Sequence, residues 1–398
     1  MEEQFQHLYE ALSQVDGYIY PNEIEMHWGL MIVLYPYITG LVAGAFILAS
    51  LERVFNIKAL KPTYNLALLT ALAFLFVATL PLVSHLQHPL RSYEIFMTPN
   101  PTSAMAIFGF VYLWYLMVVL LLEIWFDYRR DFVIWSKTST GFKKLFYKVI
   151  TLGINNSDEK SAKIDDKLGY FVTVIGIPSA FLLHGYVGFI FGSIKANPWW
   201  STVLMPIIFL FSAMVSGIAL VMVIYMVVSW IRKVKIDMEC LDTIAKYLFY
   251  ILILDFTLES LDQIHRIYEA EESFHIIKVL VSGKLNITLL LMQVVLGTII
   301  PLGVIGFFQL YKPAEKIRKI SYFLVGILVL IGIFFMRWNV VIGGQLFSKS
   351  LSGFTSFKAV YSGMEGYVMA AVWLILPLLI LTFLLWLMPP WKKVFTHE

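Results

Sequence analysis

The chain holds one cysteine, Cys240, in 398 residues. A lone thiol excludes an internal disulfide, a Cys-ligated iron–sulfur cluster within the chain and a c-type haem attachment motif. Charge is scarce as well. Asp, Glu, Lys and Arg make up 14% of the sequence, where a soluble domain carries about 25%. With 59% hydrophobic residues and a mean hydropathy of +0.76, too few polar groups exist to cover the fold in water, so its solvent is lipid. The net charge of +3 gives no basis for a nucleic-acid partner. Met1-Glu2-Glu3-Gln4 is acidic and polar, so no cleavable signal peptide is expected.

Apolar runs are what the chain has in abundance. A helix needs roughly 20 apolar residues to cross ~30 Å of hydrocarbon, and nine such runs are present, at about 29–52, 64–84, 103–126, 168–194, 202–230, 241–265, 286–310, 318–337 and 366–389. None alternates as a barrel strand would, and lipid requires every backbone group to be paired within its segment. The expected fold is therefore all-α: a polytopic bundle of about nine transmembrane helices. Aromatics at 16%, with 11 Trp and 21 Tyr, suit the boundary between hydrocarbon and headgroups.

Basic residues fix the expected orientation. The loops after runs 1, 3, 5 and 7, with the C-terminus, hold 22 of the 30 Lys and Arg, and the remaining ends hold 8. By the positive-inside rule the N-terminus lies outside and the C-terminus in the cytoplasm, across the cell membrane. Residues 1–28 form an extracytoplasmic segment, 29–230 a first bundle of five helices with a cytoplasmic loop at 127–167, and 231–398 a second bundle with the cytoplasmic C-terminus. An arrangement of runs 1–4 and 5–8 as two four-helix bundles, with the ninth peripheral, fits the same pattern. Loop 127–167 reads as a connector with a short amphipathic helix at 141–152, and 266–285 as a segment lying on the membrane or docking a partner.

The most informative polar feature lies in the sixth run. Asp255, Glu259, Asp262 and Arg266 are spaced +4, +3, +4, which places them in one column on a helix. Ionisable groups cost at least ~2.5–3.5 kcal/mol each at the centre of a membrane helix, so they persist only when paired, neutral or hydrated. One reading makes Asp255 and Glu259 exchangeable carboxyls on a proton path. The competing reading makes either of them a structural partner of Arg337. Asp262 and Arg266, nearer the end, are expected on a solvated face. Glu123 and Lys246, both near the inner surface, are candidates for snorkelling, for pairing with each other or, for Glu123, for an inner proton entry.

Three further groups stand out. His85, His88 and Arg91 lie in a proline-stiffened outer junction, followed by Pro99-Asn100-Pro101-Thr102-Ser103. Histidine titrates near neutrality and suits a headgroup with two carbonyl oxygens that gains or loses protons, although surface histidines on a loop fit the spacing equally. Arg337-Trp338-Asn339 and Gly343-Gly344-Gln345 combine a charge at the membrane edge with a close backbone approach. His184, inside the fourth run, is a quinone contact, a haem ligand or a satisfied core histidine. It is the one His well inside a run, so no second deep His exists to build a stack of two haems.

The run from Met336 through Arg337, Asn339 and Gly343-Gly344 to Gln345 resembles the signature of the NrfD/polysulfide-reductase membrane subunit family, closest to its DsrP, HmcC-type and HybB-type branch. Trp28-Gly29 through Tyr35, Gly40 and Ala43-Gly44 is similar to that family's opening helix, and His88-Pro89-Leu90-Arg91 followed by Pro99–Ser103 to its second junction. The resemblance implies four-helix bundles with no haem or cluster in the chain, and a quinone, expected to be menaquinone, bound near the extracytoplasmic face. It also implies a docked extracytoplasmic ferredoxin-like subunit with iron–sulfur clusters, electron exchange between that subunit and the quinone pool, and proton movement in some members. The branch points to a sulfate-reduction-type complex with a membrane cytochrome b subunit, a c-type cytochrome and cytoplasmic heterodisulfide-reductase-like subunits. His85, His88, Arg91, His184, Arg337 and Asn339 would form or border the quinone site. Other classes consistent with the residues are a proton-coupled secondary transporter and a passive membrane anchor.

Overall fold

A computed structural model describes residues 15–20, 23, 26–269, 273–358 and 360–391. The expected cytoplasmic C-terminus beyond 391 and most of the N-terminal segment lie outside the described residues. Among the described residues nine long helices follow one another: α1 (Leu30–Arg53), α2 (Lys58–His85), α3 (Ala104–Thr138), α4 (Glu159–Gly192), α5 (Met205–Ile231), α6 (Met238–Glu269), α7 (Asn286–Leu310), α8 (Glu315–Gln345) and α9 (Tyr367–Leu387). Among the described residues, eight are long and apolar enough to cross a membrane. The exception is α6, which at 32 residues spans about 48 Å but carries the Asp255–Arg266 column. The all-α polytopic fold is thus as expected, with the sixth run set apart by its charge.

The helices alternate in direction, so the ends rich in Lys and Arg gather at one end of the bundle, called here the basic end. Segment 127–167 carries the expected short helix, and the long helices on either side extend into it. α3 runs on to Thr138, a separate helix covers Gly141–Ile150, and α4 begins at Glu159. Charged residues do not end a helix once it has left hydrocarbon, because Glu, Lys and Arg are good helix formers in water.

The centre is built by α1 and α5, whose apolar windows are 94% and 83% buried. They meet at Gly44 and Gly217, and a Cβ on either would overlap the partner's backbone. Small residues permit this approach where lipid supplies no hydrophobic drive between helices. Gly297 of α7 and Gly332 of α8 form a second such crossing. Around the centre, α3, α7 and α9 turn large apolar side chains outward, including Phe110, Leu113, Leu290, Ile299, Leu379 and Phe383. Continuous exposure of that kind marks a lipid-facing wall.

At the end opposite the basic one, β1 (Asp16–Tyr18) pairs antiparallel with β2 (Ser352–Phe354), Gly17 opposite Gly353. Gln345 fastens the same corner: its side chain accepts from Trp28 N at 3.0 Å and donates to Trp28 O at 2.9 Å. The chain entering α1 is thereby tied to the end of α8.

Candidate functional site

The sequence-derived candidates fall into three places. The first is a buried knot around Arg337. Its guanidinium is 0% exposed, as is His184. Nη2 donates to Ser212 Oγ at 2.7 Å, lies 3.0 Å from His184 Nε2 and 3.3 Å from Phe209 O. The charge also stacks over the Phe209 ring at 4.0 Å, a favourable cation–π geometry. A guanidinium only donates, so His184 Nε2 accepts and Nδ1 carries the hydrogen, directed at Thr39 Oγ1 3.4 Å away. Both ring nitrogens of His184 are engaged, and the histidine joins α1, α4, α5 and α8. Arg337 therefore lies inside the bundle, enclosed by its helices.

Carbonyls beside Arg337 are held equally firmly. Trp199 Nε1 donates to Asn339 O at 2.8 Å, Trp200 Nε1 to Val340 O at 2.6 Å and Asn197 Nδ2 to Gly344 O at 2.6 Å. Gly344 packs directly on the Trp200 indole, leaving no room for a Cβ. The Met336–Gln345 run thus works locally as an anchor between α8 and the α4–α5 loop.

The second place is a polar seam on α6. Asp255 is buried, and its Oδ1 has no hydrogen-bond partner. Glu259 Oε2 accepts from Gln293 Nε2 at 3.1 Å, and Gln293 Oε1 accepts from Asn339 Nδ2 at 2.8 Å. Gln293 reaches this position because residues Asn286–Ile299 form a π-helix, a widened winding that re-aims side chains and recurs at functional sites. Arg337 lies within electrostatic reach of Asp255 and Glu259 but forms an ion pair with neither. Glu259, Asp262, Gln293 and Asn339 line a 310 Å³ cavity between α6, α7 and α8, and Asn339 Oδ1 is left without a partner.

One expectation fails here, and one of the alternatives for Glu123 and Lys246 drops out. Asp262 and Arg266 are not on a solvated face: they are 6% and 4% exposed and pair at 3.0 Å. Thr202 Oγ1 donates to Asp262 at 2.6 Å, and Arg266 donates to Pro198 O. The α4–α5 loop folds over this turn of α6 and excludes water from it. Glu123 and Lys246 do not pair either. Glu123, 0% exposed, accepts from Tyr64 OH at 3.0 Å and Thr173 Oγ1 at 2.8 Å, beside Arg53, which donates to the same Tyr64 hydroxyl at 2.6 Å. Lys246 is exposed on α6, 5.8 Å from the Tyr250 ring centroid.

The third place is a 430 Å³ cavity at the end opposite the basic one, among α1, α2, α3 and the α2–α3 junction. Its walls are mostly apolar, with Trp28, Tyr35, His85, Tyr93, Phe108 and Tyr112 among them. His85 Nδ1 lies 2.8 Å from Glu365 Oε1, just ahead of α9. Tyr35 is 3% exposed, and its hydroxyl has no partner. His88 and Arg91 do not line this cavity. His88 is exposed, and Arg91 forks onto Glu94 at 2.9 and 3.1 Å in solvent, holding the Glu94 carboxyl below its ordinary pKa by that hydrogen bond. A proline-kinked junction brings neighbours in sequence to different faces, so the expected His85–Arg337 cluster divides into the cavity and the buried knot.

Glu365, Tyr35 and Gln293 were not candidates in the sequence. Glu365 sits 280 residues from His85, and a lone Tyr or Gln in a helix carries no spacing signal. Among the described residues no group of three or more His, Cys, Asp or Glu is placed to hold a metal ion.

The chain is 37% identical over 203 residues to a selenate reductase subunit of Mesobacillus selenatarsenatis, covering 50% of this chain and 47% of that protein. It is 26% identical over 230 residues to a putative dimethyl sulfoxide reductase membrane subunit of Halobacterium salinarum, covering 56% of this chain and 48% of that protein. The chain spans about half the length of the curated relatives it matches. Residues 21–349 match the family model described as Polysulphide reductase, NrfD, a stretch that includes the knot, the seam and the residues lining the cavity, and the chain is an integral membrane protein belonging to the NrfD polysulphide reductase family.

Proposed function

We propose that the chain is the quinone-binding membrane subunit of a multi-subunit reductase, and that the 430 Å³ cavity beside His85 is where the quinone headgroup binds. The observation that carries this reading is the pairing of an apolar cavity of ligand size with two polar groups suited to the two ends of a quinone. Tyr35 offers a buried hydroxyl with no protein partner. His85 gives its Nδ1 hydrogen to Glu365, which leaves Nε2 as an acceptor. When bound, a quinol supplies two electrons and two protons. His85 would take up the two protons one at a time at Nε2, and Glu365 would stabilise each imidazolium and pass its proton on to the nearby surface. Tyr35 would fix the other oxygen.

Electrons would leave through an iron–sulfur subunit docked at the same end, outside the cytoplasm, with the basic end in the cytoplasm by the positive-inside rule. Leu90, Tyr93 and Met97 are exposed beside the cavity and supply an apolar rim for such a partner. The names of the selenate and dimethyl sulfoxide reductase relatives favour a quinol-fed terminal reductase over the sulfate-reduction-type assembly. Asp255 and Glu259 are the groups we assign to proton movement in α6, with Glu123 as a separate buried carboxyl toward the basic end. A transporter would need helices broken at mid-membrane, whereas α4, α5, α6 and α8 run through unbroken. The test is quinone extraction from the purified assembly together with binding of a menaquinone analogue. Stoichiometric quinone that is lost on replacing His85 supports the proposal. Full retention after that replacement removes the cavity as its site.

A further inference from the structure

The helix Gly141–Ile150 lies against the basic end with its exposed surface divided into two kinds of side chain. At about 100° per residue, Phe146, Tyr147 and Ile150 share the face turned to the protein. Phe142, Leu145 and Val149 lie along one flank, each about 60% exposed (59%, 62% and 63%). Lys144 and Lys148 lie along the other, exposed and with no acceptor among the described residues. The apolar flank continues past the helix end into Leu152, 73% exposed.

Two contacts fix the depth of this helix. Tyr147 OH donates to Leu387 O at 2.7 Å, and Lys143 Nζ donates to Trp386 O at 3.0 Å while lying 4.0 Å from the Trp386 ring centroid. Both acceptors are the last residues of the membrane-spanning α9, so the helix rests where hydrocarbon gives way to headgroups. Arg232, which donates to Leu385 O at 2.9 Å, adds a further positive charge at the same level. A bare apolar flank would be unfavourable in water, and two ammonium groups beside it at that depth call for anions.

We propose that residues 142–149 form a binding face for anionic phospholipid. Phe142, Leu145 and Val149 enter the acyl-chain boundary, and Lys144 and Lys148 bind the headgroup phosphates. This geometry is that of an interfacial amphipathic helix, and membrane-surface lysines near anionic lipid contribute additively. The assignment is independent of the quinone reading, since it uses only the depth of the helix and its two flanks.

The test is native mass spectrometry of the purified full-length protein in its assembly, titrated with phosphatidylglycerol or phosphatidylcholine. Wild-type protein should bind phosphatidylglycerol in preference to phosphatidylcholine. Lys144→Gln with Lys148→Gln should reduce that preference by about fivefold per lysine, the ratio equivalent to about 1 kcal/mol each. Phe142→Ser with Leu145→Ser should weaken retention of both lipids. All four side chains are exposed, so folding is not at stake. No preference in the wild type, or an unchanged preference in the double lysine variant, overturns the proposal. Release of a soluble partner by these substitutions with the lipid preference unaltered would show that a protein covers the face, and overturns it too.

Discussion

Arg337 Nη2 lies 3.0 Å from His184 Nε2, with both side chains fully enclosed. One positive charge is thus buried where α4, α5 and α8 meet, neutralised by no direct carboxylate contact and within electrostatic reach of two carboxyls on α6. Buried charge is kept only where its hydrogen bonds are made. Here Ser212, Phe209 O and His184 engage Nη2 and Met336 Sδ engages Nη1, leaving Nε without a partner.

Arg337→Ala should therefore cost about 1–3 kcal/mol, the penalty for leaving the buried acceptors His184 Nε2 and Phe209 O unsatisfied, read as a fall in the unfolding temperature and in assembled yield. Arg337→Lys keeps the charge but loses the fork, and should fall between the two. Equal stability for Ala and wild type would show the knot to be idle.

Asp255→Asn should lower quinol-linked turnover at least tenfold while the protein still assembles, because the amide is isosteric and the carboxylate Oδ1 has no partner to lose. Glu259→Gln should also disturb Gln293, since Gln293 donates to that carboxylate. Turnover at the wild-type level in Asp255→Asn would remove that residue from proton movement.

Much of the fold was readable from the chain. The nine runs coincide with α1–α9 because hydrocarbon thickness sets a minimum length that sequence displays directly. The α6 column was equally plain, since fixed helical spacing converts +4, +3, +4 into one face. What remained hidden depends on tertiary packing. Nothing local shows that the α4–α5 loop covers Asp262 and Arg266, that a π-helix turns Gln293 between Glu259 and Asn339, or that Glu365 comes to His85 from the start of α9. The His85, His88 and Arg91 triplet separates in space for the same reason: adjacency in a loop says little about which side chain faces inward.

Arg266→Met provides a direct check on the buried pair with Asp262. It leaves Asp262 enclosed without its cation, and a loss of about 3–5 kcal/mol is expected. A surface pair would cost about 0–1 kcal/mol, so a denaturation midpoint close to wild type would contradict the observed burial.

His85→Ala should weaken binding of a menaquinone analogue at least tenfold, about 1.4 kcal/mol, and Glu365→Gln should act in the same direction. Arg91→Ala should leave affinity within about twofold, because Arg91 is committed to Glu94 in solvent, away from the cavity.

Photolabelling with an azido-menaquinone analogue, followed by peptide mass analysis, addresses the quinone site most directly. Adducts on peptides carrying Tyr35, His85 and Tyr112 are the expected result. Adducts confined to the Glu259–Gln293 cavity, or spread without preference over the lipid-facing helices, would contradict it.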